Sequence, residues 1–587
     1  EGFLGSGYKC IASFGHIREL KNGLKSIDMK NNYKFDFRLI PSKSKYISNL
    51  RTQIKRAKEV ILATDDDREG EAIAWHICMS FKLPVETTKR MIFHEITKKA
   101  ILESINNLTV VNMKKVNAQL ARQALDVIVG YNMCPLLWKH ISSGGPSKQS
   151  LSAGRCQTPA LRIVYEQEEE INNTKPKMVY ETTGTFITND TDFKLTKNID
   201  NIEDMEKFLK ESKGFEHIYT RSDPRIVIKK PPLPLSTSVL QQKSSNELGY
   251  SPKQTMRIAQ NLYEAGLITY MRTDNKKYSK EFIKSAKSLI LKKYGEEYVN
   301  NKIHYLAIKG DETNNSKDTN KPKTTDKSTN KKEKKPIKGK KSKGKKDLAQ
   351  EAHEAIRPTK INTLSITMSK KITNKEKRLY ELIWKTTMKS CMSDAKYNQI
   401  RAKIEAPLKC KYTRNEEEVV FPGWKIIDKV EMKNAKYRIL KDVCASDEEA
   451  ELEYYKIQSR IILTNTKTHY TEARLIQLLE KKGIGRPSTF SSIISKIQDR
   501  GYVNKEDIPG RNIEVVDYEL DADKDNEIVK HKSERTFGNE RNKLKLQTLG
   551  KIVLEFLLSK FDNIFVYDYT KNMEEKLDEI ENGEETK

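Results

Sequence analysis

At 587 residues the chain is too long for a single hydrophobic core, so about three to five domains or subdomains are expected. A formal net charge of +27 and a pI near 9.4 point to a polyanionic partner, and neither a signal-peptide pattern nor an apolar run of transmembrane length is present, so no membrane is expected as a partner. Seven scattered cysteines without a CxxC pair argue against a zinc ribbon and fit a reducing intracellular compartment.

The first twenty residues, EGFLGSGYKCIASFGHIREL, place two glycine turns around a short apolar piece. Residues 43–58 read as a basic amphipathic helix. Residues 60–63, VILA, read as a buried strand, and Ala72, Ile73 and Ile77 as the apolar stripe of a following helix. Between them stand Asp65, Asp67, Glu69 and Glu71. Asp65 and Asp67 lie two apart at the strand's end and point the same way, while Glu69 enters from the turn. Crowded carboxylates repel unless a cation neutralises them, and hard oxygen ligands suit Mg²⁺. A solvated acidic loop, favoured by the helix dipole, is the competing reading. Arg68 and Gly70 inside the cluster tilt the balance towards the metal.

Residues 117–138 have helical spacing, with Pro135 expected as the stop. Residues 151–165, LSAGRCQTPALRIVY, open on Ser152 and Gly154 and turn helical, which sets Arg155, Gln157 and Arg162 near a helix start: either a phosphate site or an ordinary capped helix. Residues 179–228 alternate and are Thr-rich, as strands are, and Pro231, Pro232 and Pro234 end them. Helices over 237–248 and 251–265 follow, the second capped by Gly266. Then comes LITYMRTDN. A phenol is a poor nucleophile at neutral pH without cationic help, and Arg272 is two residues from Tyr270; as one of 25 tyrosines, Tyr270 is otherwise a core or interface residue.

Residues 311–347 hold 14 Lys against 6 acids and no aromatic residue, the composition of a disordered tract, yet they carry the smaller part of the net charge. Within them GKKSKGKK lacks the Ser/Thr and the flanking strand and helix of a phosphate loop, and no other stretch looks like an ATP site. In EAHEAIRPT, His353 and Arg357 either bind phosphate or begin a surface helix. Residues 375–392 read as a helix and 400–463 as strands again, so a helical insertion splits the β region. Residues 470–503 resemble a helix-turn-helix, with Arg486, Ser488 and Thr489 at the start of the second helix. Residues 573–580 form a last amphipathic helix.

TDDDREGEAIAWH, LSAGRCQTPAL, GLITYMRTD, EAHEAIRPT and GIGRPST, in this order and at these separations, resemble the type IA DNA topoisomerases, specifically the bacterial topoisomerase I branch. The resemblance runs from LGSGYK to DYTKNMEEKLDEI. It implies a multidomain α/β plus α fold with a β-rich arch: a toroidal core with a Toprim domain over 1–105, a strand-binding helical domain over 106–175 and 457–587, an arch over 176–232 and 400–456, and a nucleophile-bearing helical domain over 233–399. By motif match Tyr270 would become joined to a DNA 5′-phosphate, leaving a free 3′-hydroxyl. Arg272 would stabilise the phosphate, His353 would hydrogen-bond the scissile region, and Asp65, Asp67 and Glu69 would hold Mg²⁺, needed mainly for rejoining. Arg155, Gln157, Arg162, Arg486, Ser488 and Thr489 would line the path of single-stranded or underwound DNA. The implied protein is an ATP-independent monomer that relaxes negatively supercoiled DNA.

In the family a strand with an ESPAK-like motif precedes LGSGYK and supplies a further Glu and a Lys; the chain begins just after it, so the first Toprim strand is expected to be missing here. The tetracysteine zinc modules that often follow this core have no counterpart among the seven cysteines. Two other readings compete. A Toprim nuclease or primase would leave Tyr270 without a role, and a non-catalytic single-strand binding protein would need only the positive body.

Overall fold

The computed structural model describes residues 1–141, 151–308, 353–369, 372–446, 448–524 and 527–586. The Lys-rich tract at 311–347 lies outside them.

In the N-terminal part the helix Ser44–Arg56 leads to a two-residue strand, Ile61–Leu62, which pairs in parallel with Lys89–Arg90 across the helix Arg68–Phe81. The strand is shorter than the apolar run suggests, and its layer is sealed by Ile47, Leu50, Leu62, Ala74 and Cys78 against Val116 and Leu120 of a long helix further on. That helix, Met113–His140, runs straight through Pro135 instead of stopping there. Proline removes one backbone hydrogen bond, but Leu137 beyond it is fully buried and Trp138 Nε1 donates to the Leu151 carbonyl at 2.7 Å, so tertiary contacts hold the last turn.

Helices Gln157–Asn173, Glu472–Lys482, Phe490–Asp499 and Thr548–Phe565 bury Leu161, Ile163, Leu475, Leu479, Ile494 and Leu554 in one core. The final helix, Tyr567–Asn582, seats Leu577 and Ile580 against Ala118 of Met113–His140. Chain segments 400 residues apart therefore form one helical body.

A ten-stranded antiparallel sheet forms the β-rich part. Arg225–Lys229 leaves this sheet and Ala395–Ala406 returns to it, and the two pair directly, Arg225 opposite Gln399, so the segment between them hangs from the sheet as an insertion. The helical reading of 457–587 needs correction. This stretch supplies most of the strand Tyr454–Thr464 and the long hairpin Arg511–Asp521 with Ile528–Phe537, all in the ten-stranded sheet, besides the hairpin Val503–Ile508 with Glu540–Leu546. Tyr518 and Leu520 cover the sheet's buried face there, a period-two signal overlooked between two strong helical patterns.

The insertion packs Thr237–Lys243, Pro252–Glu264, Lys280–Tyr294 and Asn374–Ser390 around Leu240, Ile258, Leu262, Ile283, Leu379 and Ile383. Ser251 Oγ accepts from Gln254 N with Pro252 in the first turn, and Thr373 and Glu376 close a capping box, so both long helices start where their sequences signal. No helix among the described residues is long and apolar enough to cross a membrane.

Candidate active site

The acidic loop takes its shape from the residues around it. Asp67 caps the helix Arg68–Phe81, its Oδ1 accepting from Gly70 N at 2.7 Å. A Cβ on Gly70 would lie 2.0 Å from the Asp65 carbonyl oxygen, so only glycine lets the loop fold back this tightly. Below it Glu71 and Arg90, both without exposed side-chain surface, form an ion pair at 3.1 Å. Arg90 also donates to the carbonyls of Met91 at 2.6 Å and Asp65 at 2.9 Å, and Glu71 accepts from Asn112 N at 3.0 Å. Sequence reading set Glu71 only among the loop's acids and passed over Arg90, for which a lone arginine inside the KRMIF run was the available signal.

Gly266, at φ +70°, ends the helix Pro252–Glu264 in a conformation that a side chain would strain, and a Cβ there would lie 2.4 Å from the Ile96 carbonyl oxygen. The following segment is clamped on both sides. Tyr270 N donates to the His94 carbonyl at 2.8 Å, Thr269 N donates to the Arg357 carbonyl at 2.9 Å, and Asn275 Nδ2 donates to the His353 carbonyl at 2.6 Å. Residues 353–358 are therefore extended and buried beside Tyr270, not the start of a surface helix.

This clamp brings three separate motifs together. The Tyr270 hydroxyl donates to Asp67 Oδ2 at 2.6 Å, and Arg272 Nη1 donates to the same oxygen at 3.2 Å. The His353 ring lies 5.8 Å from the Tyr270 ring, centroid to centroid. Tyr270 is only 2% exposed, and burial together with the Asp67 charge pushes its hydroxyl well above the usual phenol range. Burial and Asp67 push the Asp65 carboxyl up to about 6. Burial also acts on Asp66, but the His94 hydrogen bond, Lys115 and His353 outweigh it and hold that carboxyl well below its ordinary value. Burial and His94 push His353 down to about 4, so it is neutral at pH 7. Glu69 points elsewhere, to His16 Nε2 at 3.0 Å. Among the described residues, the three metal-type side chains whose ligand atoms gather within 4.8 Å of one another are Asp66, His94 and His353, not the trio Asp65, Asp67 and Glu69.

The remaining sequence candidates make their hydrogen bonds and ion pairs with side chains and backbone other than Tyr270. Arg155 has no exposed side-chain surface and pairs with Glu574 at 2.6 Å and Asp126 at 3.3 Å. Arg486 pairs with Asp578 at 2.6 Å, and Arg68 of the acidic loop shares that aspartate and also pairs with Glu581, which ties the loop to the final helix. Arg162 bridges Glu166 and Asp562, each at 2.9 Å, with part of its surface exposed. Gln157 Nε2 donates to Ser152, and Thr489 Oγ1 accepts from Arg486 N at 2.9 Å; Ser488 beside it is partly exposed. A groove of about 630 Å³ runs from Glu69 along Met113–His140 to Ser152 and Arg500, lined by Arg122, Tyr131 and Trp138 among others. Those three were read in sequence only as part of a helix.

A family described as DNA topoisomerase matches residues 110–322 and 310–515, and the Toprim domain matches residues 1–96. The chain belongs to the type IA DNA topoisomerases. DNA topoisomerase 1 of Fervidobacterium islandicum is 34% identical over 599 residues, covering 99% of this chain and 73% of that protein. DNA topoisomerase 1 of Buchnera aphidicola subsp. Acyrthosiphon pisum is 32% identical, covering 98% of this chain and 62% of that protein, so the chain spans about three-fifths of this relative's length. The solved full-length topoisomerase I of Thermotoga maritima superimposes with a TM-score of 0.75 at 29% identity, covering 100% of this chain and 85% of that one. The Toprim part and the β-rich and helical parts described above thus form a type IA topoisomerase fold.

Proposed function

We propose that this type IA topoisomerase cuts one DNA strand through Tyr270, passes a second strand and reseals the break, relaxing negatively supercoiled DNA as a monomer and without ATP. The observation that carries the reading is the meeting of Tyr270, Asp67 and Arg272 on one carboxylate oxygen. The phenol oxygen attacks the phosphorus while its proton passes to Asp67 Oδ2, its existing hydrogen-bond acceptor. The bond from phosphorus to the 3′-oxygen breaks, that oxygen leaves as a free 3′-hydroxyl once protonated, and the 5′-phosphate stays on Tyr270. Arg272, already within reach, balances the charge on the phosphoryl oxygens. His353, neutral and buried at the same place, donates to the scissile region. The phosphotyrosine conserves the bond energy, so resealing needs no nucleotide.

The carboxylates fit Mg²⁺: they are hard oxygen donors, and Asp65, raised first by burial and then by the Asp67 charge, gains from a cation beside it. Asp65 and Asp67, with Glu69 once it leaves His16, would hold the ion, which when bound would fix the phosphate for rejoining. Because Tyr270 is buried, the insertion has to move off the acidic loop before a strand reaches it. The exposed rings of Tyr131 and Trp138, with Arg122 and Arg500, suit a single strand laid in the groove, and Arg162, Arg486, Ser488, Thr489 and Gln157 would contact the strand elsewhere on the helical body.

The test is trapping. The protein is incubated with end-labelled single-stranded DNA, quenched in detergent and separated by size. Labelled protein that disappears in Tyr270→Phe is expected; cleavage without any adduct would overturn the reading in favour of a Toprim nuclease.

A further inference from the structure

His353 is almost wholly buried, 1% exposed, yet neither ring nitrogen has a hydrogen-bond partner. Buried polar atoms are rarely left this way, so the position asks for a ligand. Beside it stand two side chains that the strand-cleaving reading does not use. Asp66 is 3% exposed, and its Oδ2 lies 2.9 Å from His94 Nε2 and 3.9 Å from His353 Nε2. The two imidazoles are 5.0 Å apart by ring centroids, and the three ligand atoms all lie within 4.8 Å of one another.

The geometry points to a second metal site, made of Asp66, His94 and His353, that takes a borderline divalent cation of the zinc and cobalt class and not Mg²⁺. Two imidazoles and one carboxylate are the donors such ions select, whereas Mg²⁺ favours oxygen donors and water. Bonds of about 2.0–2.2 Å to each ligand place neighbouring donors roughly 3.3 Å apart, so the Asp66 to His353 spacing has to shorten slightly. His94 is partly exposed and free to follow, while its backbone carbonyl stays on Tyr270 N. Open coordination positions would be filled by water. Lys115 occupies the other Asp66 oxygen, Oδ1, and its ammonium opposes a cation at this place, which limits affinity. In the strand-cleaving reading, on which this one consequence rests, the same cation takes His353 away from DNA and makes softer metals inhibitors where Mg²⁺ is an activator.

The test uses Co²⁺ alone as probe, titrated into the protein with Mg²⁺ in excess and no DNA, so its result is independent of whether Tyr270 cuts. Bound metal is counted by equilibrium dialysis, and its ligands are read from the visible absorption. One Co²⁺ per chain is expected, without the near-ultraviolet absorption of a cobalt–thiolate bond, since seven cysteines offer a rival site. His94→Gln and His353→Gln are each expected to weaken binding at least about tenfold, and Lys115→Met to tighten it. Circular dichroism melts confirm that each variant is folded, and the partly exposed His94 keeps the test open if His353→Gln is not. Unchanged affinity in folded His94→Gln, a thiolate band, looser binding in Lys115→Met, or no Co²⁺ retained against Mg²⁺ would each overturn the site.

Discussion

Replacing Glu71 by Ala tests what holds the acidic loop in shape. Glu71 and Arg90 are both completely buried and paired at 3.1 Å, and Glu71 also accepts from Asn112 N at 3.0 Å. The substitution leaves a guanidinium in the interior without its counter-charge, which costs about 3–5 kcal/mol in comparable pairs. Arg90 retains the Met91 and Asp65 carbonyls, which favours the low end, while the orphaned Asn112 N–H adds a further penalty of about 1–3 kcal/mol. A loss of about 3 kcal/mol corresponds to roughly a hundredfold larger open population. Native-state hydrogen exchange reads this locally: the buried amides of Arg68–Phe81 and of the strand Ile61–Leu62 should exchange roughly a hundredfold faster, with the ten-stranded sheet unaffected. The double variant Glu71→Leu with Arg90→Leu should recover much of the loss, because it removes both charges and fills the space. Equal protection in wild type and Glu71→Ala, or a double variant worse than both single ones added, would refute the uncompensated-charge argument.

Tyr270→Phe should abolish the covalent adduct while changing single-stranded DNA affinity by no more than about 1 kcal/mol in filter binding, since one hydroxyl's net hydrogen bond is of that order; a large loss of binding would make Tyr270 structural. Asp65→Asn bears on pH. The folded carboxyl titrates near 6, above its ordinary value of 3.8, so the folded state holds the proton more tightly and the stability this gives is full below about pH 4 and lost as pH rises through 6. The melting temperature of Asp65→Asn, measured without divalent metal, should therefore gain on wild type between pH 4 and 7; a constant difference would remove the charge crowding from the argument. Asp65→Asn with Glu69→Gln, which leaves Asp67 to take the phenol proton, should impair rejoining under Mg²⁺, seen as adduct that persists after dilution into salt, and unchanged relaxation would exclude the metal assignment. Gly266→Ala should lower the melting temperature by several degrees, because the new Cβ meets the Ile96 carbonyl oxygen at 2.4 Å in a left-handed backbone; an unshifted melt would show that the clamp yields.

Local chemistry made several features legible in the chain alone. The apolar stripe of Ala72, Ile73 and Ile77 signals a helix after the acidic run, and that helix is Arg68–Phe81. The helical patterns over 251–265 and 375–392 likewise correspond to the helices Pro252–Glu264 and Asn374–Ser390. Strand alternation on either side of a helical stretch suggested an insertion, and in the structure Arg225–Lys229 pairs with Ala395–Ala406. These signals act over a few residues, so they survive without knowledge of the fold. Pro135 shows their limit: the local rule for a stop yielded to the burial of Leu137.

Tertiary structure alone decided the site. That Tyr270 meets Asp67 across 203 residues, and that His94 and Asp66 stand beside His353, depends on backbone hydrogen bonds from the 267–275 segment to two distant ones, which no periodicity encodes. The fate of the arginines was equally hidden. Arg155, Arg162 and Arg486 look alike beside a helix start, but Glu574 buries the first, Asp562 bridges the second on the surface, and Asp578 shares the third with Arg68. A sequence shows which side chains carry charge; which carboxylate neutralises each one, and so which remain for a polyanion, is settled only when the final helix packs against the rest.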